Sequence, residues 1–185
     1  MDRSDLIALL KAQSVELGSF TLASGRQSSF YIDARRSTMS ARGLELVGVL
    51  GLDAIREAAW DVELVGGLTL GADPVAYAIA RESRARPPVL DAFTVRKEAK
   101  THGSRRRIEG CFHAGAAVVI VEDVITTGQS ALRAASVVEE AGGKVVGVMA
   151  VVDREEGGAG RIAEAGYDVR SLVGLGDLGV TGATS

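Results

Sequence analysis

The sequence predicts an α/β fold: a mainly parallel central sheet flanked by helices, with a small N-terminal hood set apart from it. Three observations carry this expectation. Val118-Val119-Ile120-Val121 is an unbroken β-branched run, which reads as a strand buried on both faces, the habit of parallel sheets. From Ser40 onward, strand-like apolar runs alternate with helix-like stretches, and that order implies parallel strands covered by helices on both sides. The 185 residues, 46% of them hydrophobic with 23 glycines and only 3 prolines, suit one globular domain with no dividing linker and exclude disordered or fibrous classes.

The elements follow in order. Residues 5–17 place Leu6, Leu9, Leu10 and Leu17 on a helical pattern that Gly18 ends. Residues 20–22 and 29–33 read as short strands about a Ser24-Gly25-Arg26 turn, so residues 1–38 form the hood. Residues 40–59 form a long helix with Ser40 as its N-cap. A strand over 62–65 leads to a glycine-rich loop over 66–72, then a helix over 73–84 with Pro74 in its first turn. Pro87-Pro88 punctuates the chain before a strand over 89–95, and residues 95–110 form a polar, basic loop with Gly103 and Gly110 as flexible points. After the β-branched strand come a helix over 129–141, a Gly142-Gly143 break, a strand over 144–152, a helix near 160–165 and a strand near 169–173.

Charge and cysteine content narrow the function. A net charge of −3 and a pI near 5.5 exclude nonspecific nucleic-acid binding, which needs a basic surface. No apolar run approaches the ~18 to 20 residues of a membrane span, and the N-terminus lacks a signal-peptide pattern. The lone Cys111 excludes an intrachain disulfide and a structural zinc site; it is expected as a small apolar filler, and the cytoplasm is the default compartment. His113 is expected to be structural.

The sharpest motif begins where the β-branched strand ends. Glu122 and Asp123 stand at the strand's carboxyl end, the ligand-binding edge of an open α/β sheet, and Val124, Ile125, Thr126, Thr127, Gly128, Gln129 and Ser130 lead into the next helix. A loop of this kind can wrap a phosphate with backbone N–H and hydroxyl donors. Acids beside a phosphate cradle repel the phosphate unless the ligand also carries hydroxyls for the acids to accept. A ribose 5-phosphate meets both demands. The alternative is an ordinary nucleotide-binding strand, loop and helix in which the acids merely cap the strand, but no GxGxxG or Walker A lysine favours it.

This segment resembles the signature of the type I phosphoribosyltransferases, whose paired acids grip the ribose of 5-phosphoribosyl-1-diphosphate (PRPP) and whose loop grips the 5-phosphate. A second segment, Val95-Arg96-Lys97-Glu98-Ala99-Lys100-Thr101-His102-Gly103, is basic in an acidic chain and continues into Ser104-Arg105-Arg106-Arg107. A charge run is usually a solvated face. This string, however, is similar to the mobile catalytic loop of orotate phosphoribosyltransferases. The resemblance implies that Arg96, Lys97, Lys100 and His102 contact the diphosphate, with the loop crossing a homodimer. It implies catalytic roles for Lys100, His102 and Asp123, and orotate contacts for Thr126 and for Arg154 at the end of Val151-Val152-Asp153-Arg154. Planar guanidinium suits a carboxylate because it binds two oxygens at once. Magnesium (Mg2+) is implied, without direct protein ligands.

The 66–72 loop lies where the family holds diphosphate, although some members have a lysine there and this chain has none. The stretch from Phe20 to Asp33 resembles the family's hood, with Ala23 where some members have a lysine, Arg26 a possible substitute, and Tyr31 and Ile32 at the orotate pocket or simply in strand core. The activity implied is transfer of ribose 5-phosphate from PRPP to orotate. Two alternatives stay open: the same chemistry on a purine base, or a PRPP-responsive nucleic-acid-binding regulator on the same fold.

Overall fold

Asp2 starts the first helix by accepting hydrogen bonds from the Ser4 and Asp5 backbone N–H groups at 2.8 and 3.1 Å, while its own N–H donates to Asp5. In this computed structural model, which describes residues 2–21, 25, 27–98 and 107–180, helix α1 runs Arg3–Gln13 and not to residue 17. Ser14 is buried and bonds Ser37 Oγ at 2.7 Å, and the chain beyond it turns into strand β1 (Val15–Thr21). β1 pairs antiparallel with β2 (Gln27–Ile32), so Leu17 finds a strand partner in Phe30 and stays 77% exposed. The alternation in β2 is clean, with Ser28, Phe30 and Ile32 inward.

After the short helix α2 (Arg35–Thr38), helix α3 (Ala41–Glu57) starts as predicted, with the Gly43 N–H donating to Ser40 Oγ at 3.0 Å. Strand β3 is Leu64–Leu68, which takes in two glycines expected in a loop. They are needed for close packing: a Cβ on Gly66 would lie 2.3 Å from the Phe93 carbonyl oxygen, and one on Gly67 would lie 2.2 Å from that of Val121. The loop proper is residues 69–71, before α4 (Ala72–Ser83). Strand β4 (Asp91–Val95) follows, then β5 (Ile108–Gly110), β6 (Ala117–Ile125), α5 (Gln129–Glu140), β7 (Lys144–Asp153), α6 (Gly158–Glu164) and β8 (Asp168–Gly174). Cys111 is exposed, because it lies just past the end of the short edge strand β5; it is not the apolar filler expected.

Among the described residues the main sheet has six strands in the order β5-β4-β3-β6-β7-β8, all parallel except β5, which pairs antiparallel with β4. Each β6 side chain packs on one face or the other. Val119 and Val121 join Leu46, Leu52 and Ile79 under α3 and α4, whereas Val118 and Ile120 join Ala131, Ala134 and Ile162 under α5 and α6. Burying such a side chain contributes about 1.5–3 kcal/mol, which fixes the register of β6 and so the placement of whatever follows Val121. The chain runs outward from β3 to β5, then returns to lay β6 on the other side of β3. That reversal is a topological switch point, and the crevice lies beyond the carboxyl ends of β3 and β6.

Candidate functional site

A cavity of about 340 Å³ occupies that crevice. Residues 69–71 wall it from β3, Glu122 and Asp123 from β6, Arg154 from β7, Lys97 from the end of β4, and Tyr31, Ile32, Asp33 and Arg35 from the hood. Residues 31–35 of the hood therefore lie at the carboxyl edge of the sheet. A neighbouring hollow of about 140 Å³ is lined by Val124, Ile125, Thr126, Thr127, Gly128 and Ser130. Of the residues singled out in the sequence, Arg96 and Gln129 line neither: the Arg96 guanidinium faces Glu109 at 3.8 Å, and Gln129 is exposed on the first turn of α5. Lys100 and His102, like Ala23 and Arg26, lie outside the described residues. A hollow of about 540 Å³ beside Arg107, Phe112 and His113 shares no lining residue with either and lies toward the amino end of β6; there His113 faces Glu63 at 3.6 Å.

The smaller hollow is shaped by backbone. Gly128 adopts φ +75°, and a Cβ there would meet the Gly158 carbonyl oxygen at 2.7 Å, so only glycine fits the turn into α5. Among the described residues no side chain caps α5, which leaves N–H groups of its first turn, with the partial positive charge of the helix end, for a ligand. Among the described residues the one side-chain contact to those N–H groups is long, from the Gln129 N–H to Thr127 Oγ1 at 3.5 Å, while Arg161 Nη1 donates to the Thr127 carbonyl at 3.0 Å.

The larger cavity is dominated by two carboxyls. Glu122 is 5% exposed and among the described residues its Oε1 has no hydrogen-bond partner; burial, followed by the charge of Asp123, pushes its carboxyl up to about 8. Burial also raises Asp123, against the Val124 N–H that donates to it at 2.9 Å and the nearby Arg35 charge. Its carboxylate lies against Gly71, where a Cβ would come within 2.4 Å of Oδ1. Groups whose charged forms are disfavoured in this way gain from a ligand that brings hydroxyl donors or a cation.

Arg154 is buried although two glutamates follow it in the sequence. It is 7% exposed, its guanidinium lies 5.3 Å from the Phe30 ring centroid and 2.8 Å from the Glu156 carboxylate, and among the described residues its buried Nε has no hydrogen-bond partner. A buried donor left open in a ligand cavity suits a planar acceptor such as a carboxylate.

Sequence reasoning missed three charged groups. Asp33 accepts from Arg35 Nε at 2.8 Å and from Nη2 at 3.1 Å, and the Arg35 side chain holds the Asp33 carboxyl below its usual range. Asp73, on the first turn of α4, accepts from Thr69 Oγ1 at 2.6 Å and from Thr94 Oγ1 at 2.8 Å, and so braces the 69–71 loop against β4. The only signal was an Asp-x-Arg after the hood strand and an acid ahead of Pro74, neither distinguishable from ordinary turn and helix-start chemistry.

Residues 57–172 match the phosphoribosyl transferase domain family. A curated orotate phosphoribosyltransferase of Mycobacterium tuberculosis is 50% identical over 181 residues, which is 97% of each chain. The crystal structure of the M. tuberculosis H37Rv orotate phosphoribosyltransferase in complex with Fe(III) dicitrate superposes with a TM-score of 0.87 at 48% identity, covering 97% of this chain and 100% of that one. The structure of the same bacterium's enzyme in complex with PRPP gives a TM-score of 0.82 at 44% identity, over 97% and 100% of the two chains.

Proposed function

Because the chain belongs to the phosphoribosyl transferase domain family, and within it to the orotate phosphoribosyltransferases, we propose that it transfers the ribose 5-phosphate of PRPP to orotate. The products are orotidine 5-monophosphate and diphosphate, in the synthesis of UMP. The observation that carries this reading is the buried Glu122 and its half-buried neighbour Asp123, lying between an uncapped helix end and an open arginine donor.

The 5-phosphate occupies the hollow formed by Val124, Ile125, Thr126, Thr127, Gly128 and Ser130, where the first-turn N–H groups of α5, Gln129 included, offset its charge. Glu122 and Asp123 accept the ribose hydroxyls, Asp123 with the larger share. Arg154 takes the orotate carboxylate, with Thr126 nearby. Breaking the bond at the anomeric carbon builds oxocarbenium character on the ribose, which the acids favour electrostatically. Orotate attacks through an already deprotonated ring nitrogen, so no protein base is required. Arg96, Lys97, Lys100 and His102 receive the charge of the departing diphosphate, with the basic loop reaching the site of a second copy in a homodimer.

The donor set fits magnesium. Glu122 and Asp123 offer hard oxygen ligands, while among the described residues no group of three or more His, Cys, Asp or Glu could hold a metal alone. Mg2+ would thus be held mainly by PRPP oxygens and water, with the two acids behind them, and when bound it neutralises charge on the diphosphate. We place the enzyme in the cytoplasm, in line with its lone cysteine; among the described residues no helix is long and apolar enough to cross a membrane. Purine bases are the rival substrates and give Arg154 no carboxylate to bind.

The test follows the loss of orotate absorbance by purified protein with PRPP and magnesium, with adenine, hypoxanthine, guanine and uracil run in parallel. Orotate-specific turnover that drops in Asp123→Asn supports the reading. Turnover of a purine in place of orotate overturns the base assignment.

A further inference from the structure

We propose that Arg35 is a further substrate-contacting residue, which supplies from the hood a fixed positive charge facing the diphosphate of PRPP. The inference rests on the phosphoribosyl-transfer reading above and adds a residue to it.

Residues 66–72 contain no lysine or arginine, although the 69–71 loop among them walls the cavity where the resemblance implies that diphosphate is held. Position 71 has no room for one either. Asp123 Oδ1, Cγ and Oδ2 would lie 2.4, 2.7 and 2.8 Å from any Cβ there, so a side chain at 71 displaces the carboxylate. The missing charge has to come from another element. Arg35 lines the same cavity as Leu70, Gly71 and Asp123, and it stands close enough to Asp123 for its charge to act on that carboxyl.

Its geometry is prepared in advance. Asp33 accepts from Nε at 2.8 Å, from Nη2 at 3.1 Å and from the Arg35 backbone N–H at 3.2 Å, which holds the fork in one orientation. Among the described residues Nη1 has no hydrogen-bond partner, and the side chain is 43% exposed, so donors remain within reach of a ligand. A guanidinium oriented before binding loses little side-chain entropy when a phosphate arrives.

The strand order says which anion it meets. β6 lies between β3 and β7, so the 69–71 loop and Arg154 flank Asp123 on opposite sides. Asp123, the group that feels Arg35, touches Gly71 on the diphosphate side. Arg154 is engaged with Phe30 and Glu156 on the other side and is left for the carboxylate.

Calorimetric titration of the full-length protein with PRPP, inorganic diphosphate and ribose 5-phosphate, each with magnesium, tests this in Arg35→Gln and Arg35→Lys. Arg35→Gln is expected to weaken PRPP and diphosphate by roughly tenfold to a hundredfold, the range of a lost charge-assisted hydrogen bond, while ribose 5-phosphate stays within about twofold. Arg35→Lys, which keeps the charge but not the fork, recovers part of the loss and provides a second folded variant. Unchanged diphosphate binding in both variants overturns the proposal, and so does an equal loss for ribose 5-phosphate, which would mark a packing role. A loss confined to the Michaelis constant for orotate reassigns Arg35 to the carboxylate and overturns it too. Wild-type protein that binds no PRPP at all refutes the functional reading itself, an outcome distinct from all of these.

Discussion

Gly71→Ala should separate activity from stability. The backbone at 71 has φ −64° and ψ −41°, which alanine adopts without strain. Replacing glycine at a compatible position stabilises by about 0.4–1 kcal/mol through the unfolded chain. The added Cβ would meet Asp123 Oδ1 at 2.4 Å, and ordinary contact needs ~3.5 Å, so the carboxylate must retreat by about 1 Å. The retreat is cheap for the fold because it moves the free end of a side chain. For the ribose that the proposed function sets against Asp123 it is not, since a displaced carboxylate would lose a charge-assisted hydrogen bond worth about 1.5–3 kcal/mol. At ~1.4 kcal/mol per tenfold, kcat/KM for PRPP should fall roughly 10- to 150-fold. Steady-state kinetics and thermal melts on one preparation read both effects, with Tm expected to hold or rise. A kcat/KM within threefold of wild type would show that the reaction does not depend on Asp123 where Gly71 lets it sit. A melt lowered by the equivalent of ~2 kcal/mol or more would show that the clash is taken up by backbone.

Gly66→Ala should do the reverse. Its Cβ meets the Phe93 carbonyl at 2.3 Å and the Phe93 ring at 2.6 Å, neither of them a free end, so a loss of about 1–3 kcal/mol or more is expected in urea melts, and an unchanged midpoint refutes it. Glu122 sets a pH dependence. Its carboxyl sits at about 8 in the fold against an ordinary 4.5, so the folded protein holds a proton that the unfolded chain has released, and stability falls as pH rises between those values. Glu122→Gln should remove that slope, gaining on wild type by an amount on the order of a few kcal/mol from pH 5 to pH 9; parallel stability curves for the two proteins would sink the idea. Arg154→Lys keeps the charge but loses the planar fork and the contact with Phe30, so KM for orotate should rise roughly tenfold or more while KM for PRPP stays within about threefold. Equal rises in both would place Arg154 elsewhere in the reaction.

The β6 segment was legible because its apolar run has one structural meaning and its acids and small loop residues follow without interruption. Ser40 was legible for a similar reason, since a hydroxyl before a long apolar-periodic stretch has one local use. Gly66 and Gly67 misled because glycine marks both a turn and a close approach, and only the position of Phe93 and Val121 across the sheet decides between them. Leu17 misled because an apolar residue in register with a helix also fits a strand, and the pairing partner Phe30 is distant in sequence. Asp33, Arg35 and Asp73 were invisible as site residues because acids and arginines near turns and helix starts are ordinary, and their partners come together only through the fold.

The Arg154 N–H donates to the Ile125 carbonyl at 3.0 Å, which ties the residue just past β7 to the last residue of β6. Arg154 and the Glu122–Asp123 pair are thus spaced by a main-chain ladder with a pitch of ~4.8 Å, a gauge that no side-chain substitution resets. Under the roles proposed above, recognition of the base is for that reason modular: an exchanged residue at 154 or in the hood would alter which ring is accepted and leave the sugar grip in calibration, so lineages built on this sheet could change substrate without rebuilding the machinery that handles PRPP.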